Sequence, residues 1–340
     1  MSDKNAKPLP SNRQTLREVA KAANVSEMTV SRVLRKKGSF SDKARDRVLK
    51  VVEELGYIPN RLAGSLATSR SDLVAVIVPS LTNQIFNEVL AGITAQLDKA
   101  GYRAVVGISE YDLERGEDLI RSMLSWRPAG LIVSNTEHTD RARKIMADAD
   151  IPIVEIMDMT DNPIDICVGI NQADAGAEMA RHFVERGYRR IGYIGWRETE
   201  SPAAKRFNGF RDKLREVGLD VVDTAYFDKA HEVEMGKLGL QELFIRYPDL
   251  DAVYFVDDLA AVGGLLHCIE TGIDVPGSLA LGSFGGLKIG QLTPKKITTV
   301  RLKRFETGKI SAKAIVDRLN GKNPRRIRNL GFELIVGETS

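Results

Sequence analysis

Between residues 15 and 58 apolar side chains recur at helical spacing in three short clusters: Leu16, Val19 and Ala20, then Val30, Val33 and Leu34, then Val48, Val51, Val52 and Leu55. Each cluster follows a residue suited to start a helix. Thr15 stands three positions before Glu18, the spacing of a capping box; Ser26 follows the break at "NVS"; Ser41 follows "KKGSF", in which Gly38 ends the second helix. The pattern predicts helices from Thr15 to about Ala23, from Ser26 to about Arg35, and from Ser41 to the stop at Gly56 and Pro59 in "GYIPN". Elements this short cannot bury themselves, so Leu16, Val19, Ala20, Val25, Val30, Val33, Leu34 and Leu55 are expected to share one core.

The pattern then changes twice. "NRLAGSLATSRS" has no apolar stripe and reads as a linker that becomes helical only with a partner, because isolated helices of this length are marginal in water and Gly64 weakens this one. From Leu73 onward, continuous apolar runs such as "LVAVIVPS", "AGLIVSN", "IPIVEIM", "RRIGYIG", "DAVYFV" and "LALGSF" alternate with helical segments. Strands apolar on both faces and joined by helices predict doubly wound parallel sheets. There are too many for one sheet, so two similar lobes are expected, exchanging near "VGINQ" and "ITTV", with a cleft at the strand ends.

The predicted fold class is therefore α/β: a three-helix headpiece and a hinge helix, followed by a two-lobed, doubly wound parallel-sheet domain. The expected divisions are a disordered tail at 1–14, a helix-turn-helix domain at 15–58, a hinge and linker at 59–70, and a two-lobed domain with a cleft at 71–340, which the resemblance given below makes the effector-binding and dimerisation domain. Within the last, lobe 1 is expected at about 71–168 and 299–326, and lobe 2 at about 169–298 and 327–340.

Charge separates the same two parts. Residues 1–70 carry 15 Lys and Arg against 7 Asp and Glu, a net of +8, whereas residues 71–340 carry 34 against 39, a net of −5. A compact basic module points to a polyanion partner. With a tight turn between two short helices, and a basic, hydroxyl-rich second one, that partner is double-stranded DNA, read by a helix-turn-helix in the major groove. Glu27, Met28 and Arg32 are expected on the leading face of the second helix, Arg32 for a guanine edge and Met28 for thymine methyls, with Ser26, Thr29 and Ser31 near phosphate and Thr15 clamping another.

Enzymatic readings lack their parts. The chain has no GxGxxG opening a helix, no GxxxxGK[ST], no GxSxG and no HExxH, and its four histidines show no metal-ligand spacing, so neither a metal nor a cofactor is expected. Cys167 and Cys268 sit in apolar contexts and read as two buried thiols. No run of apolar residues is long enough to span a bilayer and no secretory signal opens the chain, which is read as cytoplasmic, with no membrane partner. A periplasmic sugar-binding protein would share the two lobes but carry a signal peptide instead of the headpiece.

The stretch "TLREVAKAANVSEMTVSRVLRKKGSFSDKARDRVLKVVEELGYIPNRLAGSL" resembles the N-terminal module of the LacI/GalR family of bacterial transcriptional repressors, and the likeness continues through "VPSLTNQIFNEVLAGI", "IPIVEIMD", "RFNGF" and "VDDLAAVG". "EMTVSRVLR", "ELGYIPNR" and "SMLSW" resemble more narrowly the gluconate and 2-ketogluconate repressors of that family. The resemblance implies a homodimer, or a tetramer built from it, on palindromic operator DNA, with Asn60 among the DNA contacts and Leu66 as the hinge leucine wedged between base pairs. Gly64 stands where the family often has arginine. The implied ligand is a small sugar acid, gluconate or 2-ketogluconate, acting as inducer; a corepressor and a neutral sugar are the alternatives.

The family pattern also directs Arg206 of "RFNGF" into the effector pocket, where a guanidinium suits a carboxylate or vicinal hydroxyls. Asp158 and Asp257 follow apolar strands and match pocket positions, although either side chain also suits the cap of the next helix. Ser80, Gln84, Phe86, Ser134, Trp196, His231 and Phe284 complete the candidates, Phe86 and Trp196 as rings for a sugar face. Phe284 is followed by Gly285 where the family commonly has aspartate, and loss of that anion is read as favouring an anionic ligand.

Overall fold

The computed structural model describes residues 14–35, 38–58, 71–134, 136–196, 201–227 and 232–340. The tail, apart from Gln14, and the whole 59–70 linker lie outside the described residues, and with them the hinge-helix reading. The chain divides into two units at Ser71 and Asp72.

The first unit holds α1 (Leu16–Ala22), α2 (Glu27–Arg35) and α3 (Asp42–Glu54). Thr15 caps α1 in a complete capping box with Glu18, and Ser41 caps α3 by accepting from the Ala44 N–H at 3.2 Å. Between α1 and α2, Asn24 takes the left-handed conformation at φ 51°, which turns the chain within a few residues and is better tolerated by Asn than by branched residues. Val19, Ala20, Ala23, Val30, Val33, Val48 and Tyr57 form the buried core; Leu16, Val25, Leu34 and Leu55 are half-buried around it. Tyr57 belongs to the segment read only as a stop. Its N–H donates to the Val52 carbonyl at 3.0 Å, which folds the ring back over the three helices.

The second unit contains two six-stranded sheets. The first comprises β1 (Leu73–Val78), β2 (Arg103–Ile108), β3 (Gly130–Ser134), β4 (Ile153–Ile156), β5 (Ile166–Gly169) and β11 (Ile327–Asn329), in the order β11-β5-β4-β3-β1-β2. The second comprises β6 (Ile191–Trp196), β7 (Val221–Phe227), β8 (Ala252–Phe255), β9 (Ala280–Gly285), β10 (Thr298–Leu302) and β12 (Phe332–Ile335), in the order β12-β10-β9-β8-β6-β7. All pairings are parallel except that of β10 with β12. Residues of β3, β4, β5 and β8 are buried without alternation, as strands covered on both faces must be.

The lobe boundaries need correction. The chain leaves lobe 1 after Gly169, returns after Leu302, and crosses again between Asn329 and Phe332. The expected divisions at 298/299 and 326/327 would cut β10 and misassign β11. Thr298–Leu302 instead lies between β9 and β12, and Ile327–Asn329 adds to β5. A strand paired on both sides cannot belong to two sheets.

Glycines bring the site's helices together. In lobe 2 the helix Gln172–Glu185 packs on Pro202–Arg215 so closely that a Cβ at Gly176 would come within 1.8 Å of the Arg206 carbonyl oxygen, and one at Gly209 within 2.1 Å of that of Ala173. Any larger side chain would push these helices apart and carry Arg206 with them.

Candidate functional site

The headpiece presents the reading face as expected in outline. Met28 and Arg32 are exposed and lie four residues apart on one face of α2, with Glu27 exposed at its start. Ser26 caps α2: its hydroxyl accepts from the Thr29 N–H at 3.1 Å and bonds the Thr29 hydroxyl at 2.9 Å. These two hydroxyls are thus engaged with each other, while half-buried Ser31 stands beside Arg32. The Thr15 hydroxyl donates to Glu18 Oε2 at 2.9 Å, so any phosphate contact from it competes with the capping box. Asn60 and Leu66 lie outside the described residues.

Between the lobes of the second unit is a cavity of about 660 Å³, well within the range of about 300 to 1,000 Å³ usual for small-molecule sites. Of the sequence candidates, Phe86, Ser134, Trp196, Arg206, Asp257 and Phe284 line it. Lobe 1 supplies Phe86 from the helix Gln84–Lys99 and Ser134 from the end of β3. Lobe 2 supplies Trp196 from the end of β6, Arg206 from its helix, Asp257 from the turn after β8, and Phe284 from β9.

Arg206 is buried, and its hydrogen-bond partners among the described residues are neutral. Its Nη1 donates to Gln172 Oε1 at 2.8 Å and to the Pro202 carbonyl at 3.4 Å, its Nη2 donates to the Val256 carbonyl at 3.1 Å, and the guanidinium stacks on the Phe284 ring. Gln172 is fixed in turn, because its Nε2 donates to the Met157 carbonyl at 2.9 Å. Among the described residues no carboxylate pairs with Arg206. Burial of a cation without a counter-ion is expensive, so an anion admitted to this cavity gains what the protein has left unmatched.

The remaining polar wall is mixed. The Ser134 hydroxyl is buried without a hydrogen-bond partner among the described residues, and a ligand oxygen would satisfy it. Asp257 fills both roles considered for it: it lines the cavity, and its Oδ1 caps the helix Asp258–Thr271 by accepting from the Ala260 N–H at 2.9 Å. Five polar wall residues were missed: Asn83, Tyr111, Glu137, Gln172 and Ser201. The Tyr111 hydroxyl accepts from Asn83 Nδ2 at 3.0 Å, and Glu110 and Tyr111 both take positive φ, at 54° and 62°. Gln172 opens the helix that follows β5, and Tyr111 lies in the turn after β2, each a little beyond the strand's last residue and without a charge to mark it.

Several candidates need correction. Asp158 is not on the cavity wall; it is buried behind it, accepting from Lys205 Nζ at 2.7 Å, Thr136 Oγ1 at 3.2 Å and the Met159 N–H at 2.8 Å. Ser80 is also off the wall, its hydroxyl accepting from the Thr82 and Asn83 N–H groups in the turn after β1. Gln84 opens its helix pointing to solvent. His231 lies outside the described residues.

The reading of Gly285 changes as well. Its φ is +128°, and a Cβ there would lie 2.9 Å from an oxygen of Asp258. Asp258 is fully buried and takes hydrogen bonds from Ser283 and Thr299 hydroxyls and from the Leu287 N–H. Burial pushes its carboxyl up to about 6 despite those donors. An aspartate at 285 would confront this group, so the glycine answers to Asp258 rather than to the ligand's charge.

A helix-turn-helix headpiece joined to a two-lobed, cleft-bearing α/β unit defines a DNA-binding regulator governed by a small molecule. Residues 15–60 match the family described as "Bacterial regulatory proteins, lacI family", and residues 71–330 match "Periplasmic binding proteins and sugar binding domain of LacI family". The chain belongs to the LacI/GalR family of transcriptional regulators, which are not enzymes. It is 34% identical over 326 residues to the HTH-type transcriptional regulator GntR of Escherichia coli strain K12, covering 96% of this chain and 98% of that one. Its counterpart in Pseudomonas aeruginosa is also 34% identical, over 341 residues, covering 100% of this chain and 98% of that protein. Among solved structures, a LacI-family transcriptional regulator from Silicibacter pomeroyi superposes with a TM-score of 0.92 at 42% identity, covering 96% of this chain and 99% of that one. No helix among the described residues is long and apolar enough to cross a membrane.

Proposed function

We propose that this regulator is a homodimeric repressor that binds a palindromic operator and leaves it when a sugar acid, gluconate or 2-ketogluconate, enters the cleft. The observation that carries the ligand class is Arg206: a buried guanidinium on the cavity wall whose partners are two carbonyls, an amide and an aromatic ring. A ligand carboxylate supplies the missing counter-charge, and a polyol chain supplies hydroxyls for Asp257, Glu137 and Ser134. The resemblance to gluconate and 2-ketogluconate repressors supports the same choice.

On the DNA side, α2 enters the major groove with Arg32 and Met28 on base edges and Glu27 at its leading end. Thr15, Ser26, Thr29, Ser31 and Asn60 lie toward the backbone, and Leu66 wedges the minor groove. A single headpiece holds too short a half-site for specificity, and two-fold symmetry doubles the contacts. Ligand binding closes the lobes and alters the dimer so that paired headpieces lose their spacing. Calorimetric titration of aldonates and ketoaldonates, with and without saturating operator, tests this. Linkage requires operator to weaken inducer binding by the factor by which inducer weakens operator binding. Tighter ligand binding with operator present would make the ligand a corepressor, and no binding of any sugar acid would remove the ligand class.

A further inference from the structure

The ionised groups of the cavity are unevenly placed, and from this placement we propose that the site selects sugar monoacids against sugar diacids, with Glu137 as the discriminating residue and Lys205 as the residue that positions it. The proposal rests on the sugar-acid reading above and refines it. In lobe 2, Arg206 offers a cation without a carboxylate partner among the described residues, and the one carboxylate on that side of the wall, Asp257, has Oδ1 engaged in capping the helix Asp258–Thr271. In lobe 1, Glu137 stands on the wall of the same cavity. Its carboxylate is pinned by Lys205 Nζ at 2.6 Å, and the same ammonium reaches buried Asp158 at 2.7 Å. Two carboxylates share one ammonium, so this cluster keeps a net charge of −1.

Lys205 and Arg206 are adjacent in sequence, yet successive residues of a helix do not face the same way. Arg206 points inward onto Phe284, while Lys205 crosses to lobe 1 and holds Glu137 and Asp158. The two ends of an open-chain sugar acid therefore meet different walls. A carboxylate neutralises Arg206, whereas a hydroxyl donates to Glu137. A diacid has a second carboxylate that cannot donate, and it meets the like charge of the Glu137 cluster instead. Lys205 already donates to both carboxylates and leaves the cluster anionic. The ion pairs also join the lobes, so the discrimination is strongest when the cleft is closed and water is excluded.

The test is calorimetric titration of the full-length protein with gluconate and with glucarate, which differ only in oxidation of the last carbon. Native protein should bind glucarate at least about tenfold more weakly than gluconate, the order expected of one like-charge contact in a partly dry site. The gap should narrow as salt is raised, since it is electrostatic. Glu137→Gln should shrink it to roughly threefold or less by removing the charge while keeping an acceptor oxygen, with circular dichroism confirming the fold. Lys205→Met, which leaves both carboxylates uncompensated, should weaken gluconate binding and make it more salt-dependent. Comparable affinities for the two acids in native protein, or a gap unchanged in Glu137→Gln, would overturn the proposal while leaving the sugar-acid reading intact. Binding of neither gluconate nor any other monoacid would overturn both.

Discussion

The guanidinium carbon of Arg206 lies 3.6 Å from the centre of the Phe284 ring, which takes the place beside it that a carboxylate fills in an ion pair. The ring fixes the plane of the guanidinium and presents its edge, where the N–H groups are, to partners on the cavity side. Arg206→Lys keeps the charge and loses both the planar fork and the stacking. We expect sugar-acid affinity to fall by about 2 to 3 kcal/mol, typical of a charge-assisted hydrogen-bonded contact. Phe284→Leu should cost less, on the order of 1 kcal/mol for the cation–π component. Titration calorimetry on both variants checks the order; equal losses would mean that the ring itself carries the ligand.

Recognition of operator bases should reside in the face shared by Met28 and Arg32. Arg32→Ala is expected to flatten preference at guanine positions by about 1 to 3 kcal/mol, whereas Thr29→Ala should act through the Ser26 cap and cost stability of α2. Competition binding against operators altered one base pair at a time separates the two. If Arg32→Ala weakens all sequences equally, Arg32 contacts phosphate rather than a base edge.

Asp258 should give the effector-binding unit an unusual pH dependence. Its folded carboxyl titrates at about 6 against an ordinary 3.8, with burial as the main cause. Between those values the native state keeps a proton that the unfolded state has released, so this group's contribution to stability falls as pH rises from about 4 to 6 and is level above. The change should amount to about 3 kcal/mol. Urea unfolding across that range, compared with Asp258→Asn, measures it. The variant keeps an oxygen to accept from the Leu287 N–H and an NH2 that can donate to the Ser283 and Thr299 hydroxyls, so it should mimic the protonated carboxyl and lack the descending segment. Parallel pH profiles would show that Asp258 is not the group responsible.

Cys167 and Cys268 are both buried and unpaired with each other, and burial pushes each thiol up to about 11. At neutral pH neither should react with a disulfide reagent in the native protein, and both should react once it is unfolded. Fast labelling of either thiol under native conditions would show that it is not buried.

How far the sequence reaches is clearest by comparing the headpiece with the cleft. The three helices, their caps at Thr15, Ser26 and Ser41, and the exposed pair Met28 and Arg32 depend on spacings of three or four residues, which a local pattern records directly. The parallel sheets announce themselves through unbroken apolar strands for the same reason. Tertiary structure decided whatever depends on residues distant in sequence. Asp158 and Asp257 look alike after their strands, yet Lys205, 47 positions away, draws the first behind the wall, while the second remains on it. The place of Thr298–Leu302 in the second sheet follows from pairing on both edges, which no single segment encodes. Gly285 reads as a lost anion until Asp258 is found 2.9 Å from where its Cβ would stand. Periodicity specifies which face of an element is buried; only the packed chain specifies which charge that face meets, because electrostatic partners are chosen by distance in space and by the water excluded between them.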